Sequence, residues 1–183
     1  SNQVATEAGN VVDGFAKSLF EGTVPSREGL SDEAYQSLST YFSDLKRELA
    51  SRGERVIGVG VVVYGTIVGA DGKKRRIAGE VDMLTIDGNG DLHIYDFKTS
   101  AKAFSMEVYQ QPINGGISAA DQHQTQLTAY TILLEQMTGA EVASIGVIPV
   151  TIIKEAKGKG VNVTAALGHS PIYFDVHADP FKQ

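Results

Sequence analysis

Apolar residues follow a helical period in the first fifty positions of this chain. They recur every three or four residues, as on one face of an amphipathic helix. This pattern predicts one helix over residues 4–20 and a second that begins after Ser31 as N-cap and ends near Gly53. The first stripe consists of Val4, Ala8, Val11, Val12, Phe15 and Leu19, and the second of Tyr35, Leu38, Phe42, Leu45 and Leu49.

From residue 56 the pattern changes to that of β-strands, with many β-branched residues and turn formers between the runs. The loop over residues 100–119 is longer than most connections, which indicates a functional role. The order of helices, three strands, a helix and further strands predicts an α/β fold with a mixed sheet. The predicted strands cover residues 56–68, 77–86, 92–97, 142–153 and 171–176, and a third helix covers 121–137.

The composition is that of an ordinary globular domain, and 183 residues predict a single domain over 1–183. The chain has no cysteine, which excludes disulfides and zinc-thiolate or iron–sulfur sites. No apolar run approaches the roughly 20 residues that span a bilayer, so no membrane partner is expected. The net charge of −6 argues against nonspecific coating of nucleic acid. It does not exclude an enzyme that engages a phosphodiester through bound metal and a few local cations.

Two acids and a lysine interrupt the second and third predicted strands. Asp96 and Lys98 are two residues apart on one strand and therefore share a face, and a hairpin turn at 87–91 would bring Asp82 alongside Asp96. A buried carboxylate needs a partner or a metal, because burying it alone costs several kcal/mol. The group therefore predicts a divalent-metal site with a charge-stabilising lysine. The alternative is an exposed Asp96–Lys98 pair on an edge strand, which would contribute little.

A second polar group lies on the predicted third helix. Gln126 and Tyr130 are four residues apart and share one face, with His123 beside it. Amide and phenol groups can bind phosphate oxygens, bases or a metal-bound water, although a solvated polar stripe would look the same.

These segments together resemble the PD-(D/E)xK nuclease superfamily, and within it the RecB-like branch. That branch has the pattern G-x-x-D, D-x-K-T and Q-x-x-x-Y, which this chain matches at Gly79 and Asp82, at 96–99, and at Gln126 and Tyr130. The resemblance extends from about residue 9 to about residue 151. It implies a restriction-endonuclease-like sandwich, with a central mixed sheet flanked by helices.

The resemblance also implies roles for individual residues. Asp82 and Asp96 would hold Mg²⁺ or Mn²⁺, together with the carbonyl of Phe97. Lys98 would position the attacking water and stabilise developing charge. Gln126 and Tyr130 would orient the catalytic site.

The first helix departs from the family pattern. Members often carry G-x-x-x-H there, with the histidine as an extra metal ligand, whereas this chain has Gly9-Asn10-Val11-Val12-Asp13. Asp13 is a competent hard ligand, but a solvated helix residue is an equally valid interpretation of this position.

The resemblance implies a metal-dependent nuclease that hydrolyses DNA in repair, recombination or phage replication. Such an enzyme would act in the cytoplasm of a bacterium or phage-infected host, with a helicase or recombination protein as partner. The alternative is a catalytically inactive nuclease-fold module that binds DNA or serves as a scaffold. A small-molecule hydrolase is disfavoured, because the chain has neither cysteine nor a G-x-S-x-G serine. The basic run at residues 73–76 could grip a phosphate backbone or form a solvated hairpin, and both interpretations stay open.

Overall fold

A computed structural model describes residues 2–158 and 160–176, with side chains from residue 7 onward, so that Val4 of the first predicted stripe lies outside the described side chains. The helices are α1 (Asn2–Glu21), α2 (Asp32–Ser51), α3 (Met106–Gln110) and α4 (Ala119–Thr138). The strands are β1 (Arg55–Val68), β2 (Lys74–Ile86), β3 (Leu92–Ser100), β4 (Val142–Lys157), β5 (Gly160–Gly168) and β6 (Ile172–Phe174).

The six strands of the described residues form one sheet in the order β1-β2-β3-β4-β5, with β6 also paired to β4. The pairs β1–β2, β2–β3, β4–β5 and β4–β6 are antiparallel. At the start of β3, the Leu92 N–H donates to the Glu141 carbonyl just before β4, at 2.8 Å. The two strands therefore begin at the same end and run parallel. The predicted α/β fold with a mixed sheet is confirmed.

The chain forms two compact units. The first comprises residues up to Gly53, Phe97–Phe104 and Ile148–Pro171, and the second comprises Glu54–Asp96, Ser105–Val147 and the residues from Ile172 on. The single domain expected over residues 1–183 stays a prediction. None of the helices in the described ranges combines the length and apolar character that crossing a membrane requires.

In the first unit, α1 and α2 pack on β5. Ser31 is the N-cap of α2, as predicted: its hydroxyl accepts from the Ala34 N–H at 3.1 Å and donates to the Thr164 carbonyl of β5 at 2.8 Å. One serine therefore both starts the helix and ties it to the neighbouring strand.

The ring of Phe42 from α2 lies 5.6 Å from that of Phe97 in an edge-to-face contact.

In the second unit, α4 packs on β1 and β2. Ser118 and Asp121 form a capping box at its start, and Gly139 ends it with a left-handed φ of 71°. The apolar core beneath the helix includes Val63, Val81, Leu84, Ile94, Leu127, Leu133 and Ile145.

Three predictions of element bounds were wrong. Strand β2 begins at Lys74, before the predicted residue 77, because Lys74 and its neighbours pair with the end of β1 despite their charge. Strand β4 extends to Lys157 and turns into β5, for which no strand was predicted. The loop over 100–119 contains the short helix α3, which is capped by Ser105.

The β2–β3 turn is held by a chain of polar contacts through the buried His93. Asp87 accepts from the backbone N–H groups of Asn89 and Asp91 at 2.8 and 3.2 Å, which makes the predicted turn. Its other oxygen lies 2.8 Å from Nε2 of His93, whose Nδ1 lies 2.6 Å from the Ser144 hydroxyl. The hydrogen bond from His93, followed by those from the turn amides, holds the pKa of Asp87 below its usual value although burial opposes the shift.

We predict that Asp87→Asn loses stability in a pH-dependent way. Because the folded pKa of Asp87 lies below the unfolded value of about 4, its stabilising contribution is complete above that pH. The contribution disappears as the pH falls through the folded pKa. Urea unfolding of wild type and variant at several pH values should therefore show a stability difference at pH 7 that shrinks below pH ~4. Asp91→Asn, in the same turn, is the matched control. A difference that does not change with pH would contradict this account.

Candidate active site

Strands β2 and β3 place Asp82 and Asp96 at adjacent positions. The antiparallel pairing ends at Met83↔Tyr95, and one further step of the same register sets Asp82 opposite Asp96. Asp96 is 7% exposed and Asp82 is half-buried. The two predicted carboxylates thus lie on neighbouring strands just beyond the last pair of the ladder, and their meeting in one site stays a prediction.

The backbone of β1 is kinked where Asp82 lies on the neighbouring strand. The register runs through Val59↔Met83 and Val61↔Val81 but omits the position between them, where Gly60 faces Asp82. Gly60 has a φ of 67°, a left-handed conformation that favours glycine. On a regular strand, side chains three residues apart point to opposite faces. Val81 and Leu84 of β2 nevertheless belong to the same core, so the alternation of side chains is interrupted between them. Asp82 therefore sits where β2 leaves its regular pairing with both neighbouring strands.

Strand β3 continues from Asp96 into Phe97 and Lys98. Phe97 is buried and Lys98 is half-buried. Strand alternation places the Lys98 side chain on the same face as that of Asp96, whereas Phe97 points to the other face. His93 alternates onto the same face as Phe97 and lies within hydrogen-bond distance of Asp87 and Ser144.

The Gly79-x-x-Asp82 segment fits against Tyr130 of α4. A Cβ added to Gly79 would lie 2.3 Å from Cε1 of the Tyr130 ring, so only glycine allows this approach. Gln126, which is exposed one turn earlier on α4, donates from Nε2 to the Tyr130 hydroxyl at 3.1 Å. The strand glycine and the helix pair predicted from the sequence therefore form one packed unit.

A further polar side chain, that of Tyr109, lies close to Asp96, and His123 is its hydrogen-bond partner. Tyr109 of α3 has its hydroxyl 2.8 Å from Nδ1 of His123 on α4. Burial, and after it the negative charge of Asp96, raise the pKa of the Tyr109 phenol. Sequence reasoning missed Tyr109; its signal was the aromatic residue that follows the Ser105 cap inside an unusually long connection. His123 was noted only as a neighbour of the glutamine face.

On α1, Gly9 and Asp13 lie one turn apart. A Cβ on Gly9 would approach the Thr99 hydroxyl of β3 to 3.2 Å, which explains why the helix carries a glycine there. Asp13 is half-buried. The structure thus accounts for the glycine of this motif by close packing beside the D-x-K-T segment.

The residues present fit a hard divalent cation. In the described part of the chain no three Asp, Glu or His side chains are grouped closely enough to hold a metal by themselves. Two carboxylates and a backbone carbonyl are nevertheless sufficient oxygen donors for Mg²⁺, which usually keeps several waters. Asp82, Asp96 and the Phe97 carbonyl supply this kind of donor set.

The chain belongs to the PD-(D/E)XK nuclease superfamily. The family model matches residues 2–172, which is longer than the stretch of about 9–151 predicted from the motifs. Nucleases of this superfamily generally use divalent metal ions. No curated protein matches the chain.

Two solved structures are similar to this chain at low identity. One is named "Putative exonuclease" from Eubacterium rectale, with 16% identity, a TM-score of 0.43, and coverage of 88% of this chain and 58% of that chain. The other is SSO0001, with 15% identity, a TM-score of 0.36, and coverage of 79% and 72% respectively. The chain thus spans little more than half the length of the first of these proteins.

We predict that Gly79→Ala destabilises the protein by about 1–3 kcal/mol, because the added methyl group overlaps the Tyr130 ring. The loss should appear as a lower midpoint of urea unfolding. Gly88→Ala is the matched control, since a Cβ there meets nothing within 4 Å.

The double variant Gly79→Ala/Tyr130→Ala should show strong coupling, because removing the ring removes the overlap. Additive losses from the two substitutions would show that the ring does not limit residue 79.

Proposed function

We propose that this chain is a metal-dependent nuclease of the RecB-like branch that hydrolyses phosphodiester bonds in DNA. The observation that carries the proposal is the β2–β3 register, whose continuation sets Asp82 opposite Asp96 with Lys98 two residues further along β3. Phosphodiester hydrolysis requires charge stabilisation around the phosphorus, and this arrangement offers oxygen donors and a cation on one strand face.

We assign the metal to Asp82, Asp96 and the Phe97 carbonyl. When bound, Mg²⁺ or Mn²⁺ supplies a Lewis acid for the phosphoryl group and lowers the pKa of a water. The two carboxylates would hold the cation. Asp13 as a further ligand, where relatives have histidine, stays a prediction from the sequence.

Lys98 acts on the substrate rather than on the fold in this proposal. Its ammonium group stabilises the negative charge that develops on the phosphoryl oxygens and holds the attacking water. A lysine is suited to this role because it is a compact charge on a flexible stem.

Gln126 and Tyr130 position the substrate. The Gln126–Tyr130 hydrogen bond and the packing of the Tyr130 ring on Gly79 fix the glutamine amide at the exposed face of α4. From there the amide can bind a phosphate oxygen or a base without adding charge. The proposed setting is DNA repair, recombination or phage replication, with a helicase or recombination protein as partner.

We expect cleavage of linear single- or double-stranded DNA with Mg²⁺ or Mn²⁺ and none with chelator. Asp82→Asn and Asp96→Asn should abolish the activity. Lys98→Ala should lower the rate about 100-fold or more, since one charge-stabilising group is lost. Gln126→Ala should lower it about 10- to 100-fold, as a supporting group. Gel assays with end-labelled and circular DNA measure these rates.

Lys102→Ala and Asp44→Asn serve as matched controls, because both residues are exposed and lie outside the proposed site. Circular dichroism should show that every variant is folded. DNA that is retained without metal-dependent cleavage by the wild type would instead identify the inactive binding module. Equal cleavage by wild type and Lys98→Ala would refute the assigned role of the lysine.

A further inference from the structure

One face of the β1–β2 hairpin is exposed and carries both apolar and cationic side chains. Residues of even number on both strands project to it, and the register pairs them across the strands as Val62↔Glu80, Tyr64↔Ala78, Thr66↔Arg76 and Val68↔Lys74. Three large apolar side chains stand in solvent here: Val62 is 60%, Tyr64 64% and Val68 53% exposed. We call this surface, made by residues 62, 64, 66, 68, 74, 76, 78 and 80, the hairpin face.

The Tyr64 ring has room beside it. Its cross-strand neighbour is Ala78, whose methyl group leaves the ring uncovered, and diagonal neighbours such as Arg76 lie about 7–8 Å away. An open aromatic ring beside a cation is the combination on which single-stranded nucleic acid stacks its bases.

The charge of the hairpin face differs from that of the chain. The whole protein carries a net charge of −6, whereas the hairpin tip contains four consecutive cations at residues 73–76. Arg75, of odd number, forms an ion pair with Asp71 at 2.7 Å. Lys74 and Arg76 instead project to the hairpin face and are exposed. Phosphate is therefore attracted to this place on an otherwise acidic protein.

A second copy of the chain is a poorer occupant of this face. Of the residues on its own hairpin face, a second copy could set only Glu80 against Lys74 and Arg76. A polyanion with exposed bases satisfies both the cations and the uncovered ring.

We propose that the hairpin face binds single-stranded nucleic acid, with a base stacked on Tyr64 and phosphates held by Lys74 and Arg76. The proposal takes its substrate from the proposed nuclease function, but the binding it predicts requires no catalysis.

The test measures binding without cleavage. A fluorescein-labelled oligo-dT of 15 nucleotides is titrated with the full chain carrying Asp96→Asn, in chelator, and fluorescence anisotropy gives the affinity. Adding Tyr64→Ala should weaken binding about tenfold, whereas Tyr64→Phe, which keeps the stacking ring, should stay within about twofold. Arg76→Gln should weaken binding and reduce the salt dependence by about 0.7 in log–log slope, because one phosphate contact is lost.

Leu167→Ala and Lys46→Gln are the matched controls for an exposed apolar and an exposed cationic side chain, and both should bind like the parent. The proposal is overturned if the parent does not bind the oligonucleotide, if Tyr64→Ala binds as tightly as the parent, or if Tyr64→Phe loses as much as Tyr64→Ala. Size-exclusion chromatography that shows an oligomer dispersed by Tyr64→Ala would also overturn it, by identifying a protein interface.

The two proposals fail in different ways. Tyr64-dependent binding by a chain whose wild type does not cut DNA in metal supports the hairpin face and removes the nuclease activity. Cleavage by the wild type, together with binding that does not depend on Tyr64, supports the nuclease activity and removes the hairpin face.

Discussion

Two carboxylates at the adjoining ends of the β2–β3 ladder are the constraint on which our proposal depends. At a separation of about 5 Å, like charges repel by about 3 kcal/mol at an effective dielectric constant of about 20. Asp96 is buried, so water would screen such a repulsion poorly. In our proposal, Lys98 and a divalent cation supply the positive charge that relieves it, and the same repulsion therefore favours metal binding.

Glycines adapt the surrounding backbone to this constraint. Gly60 takes a left-handed conformation where β1 passes Asp82. Gly79, three residues before Asp82, leaves room for the Tyr130 ring. Gly9 does the same for α1 beside Thr99. Each of these glycines thus has a local steric or conformational cause in this chain.

Much of this fold could be predicted because its signals are local. The Ser31 cap, the hairpin turn at 87–91 and the alternation that aligns Asp96 with Lys98 all follow from short stretches of sequence. Strand β5 and the start of β2 at Lys74 could not be predicted. Small or charged residues hide the apolar alternation there, and these segments become strands only by pairing with β4 and β1. The approach of Tyr109 to Asp96 and to His123 depends on tertiary packing, for which a single sequence carries no periodic signal.

The most direct measurement of the central claim is paramagnetic broadening by Mn²⁺ in the assigned amide NMR spectrum of the protein. Our account predicts that substoichiometric Mn²⁺ first broadens the signals of residue 82 and of residues 96–98, and that Asp96→Asn abolishes this effect. Broadening that is strongest elsewhere, for example in the acidic turn at 87–91, or that is spread evenly over the surface, would contradict a metal centre between the two strands.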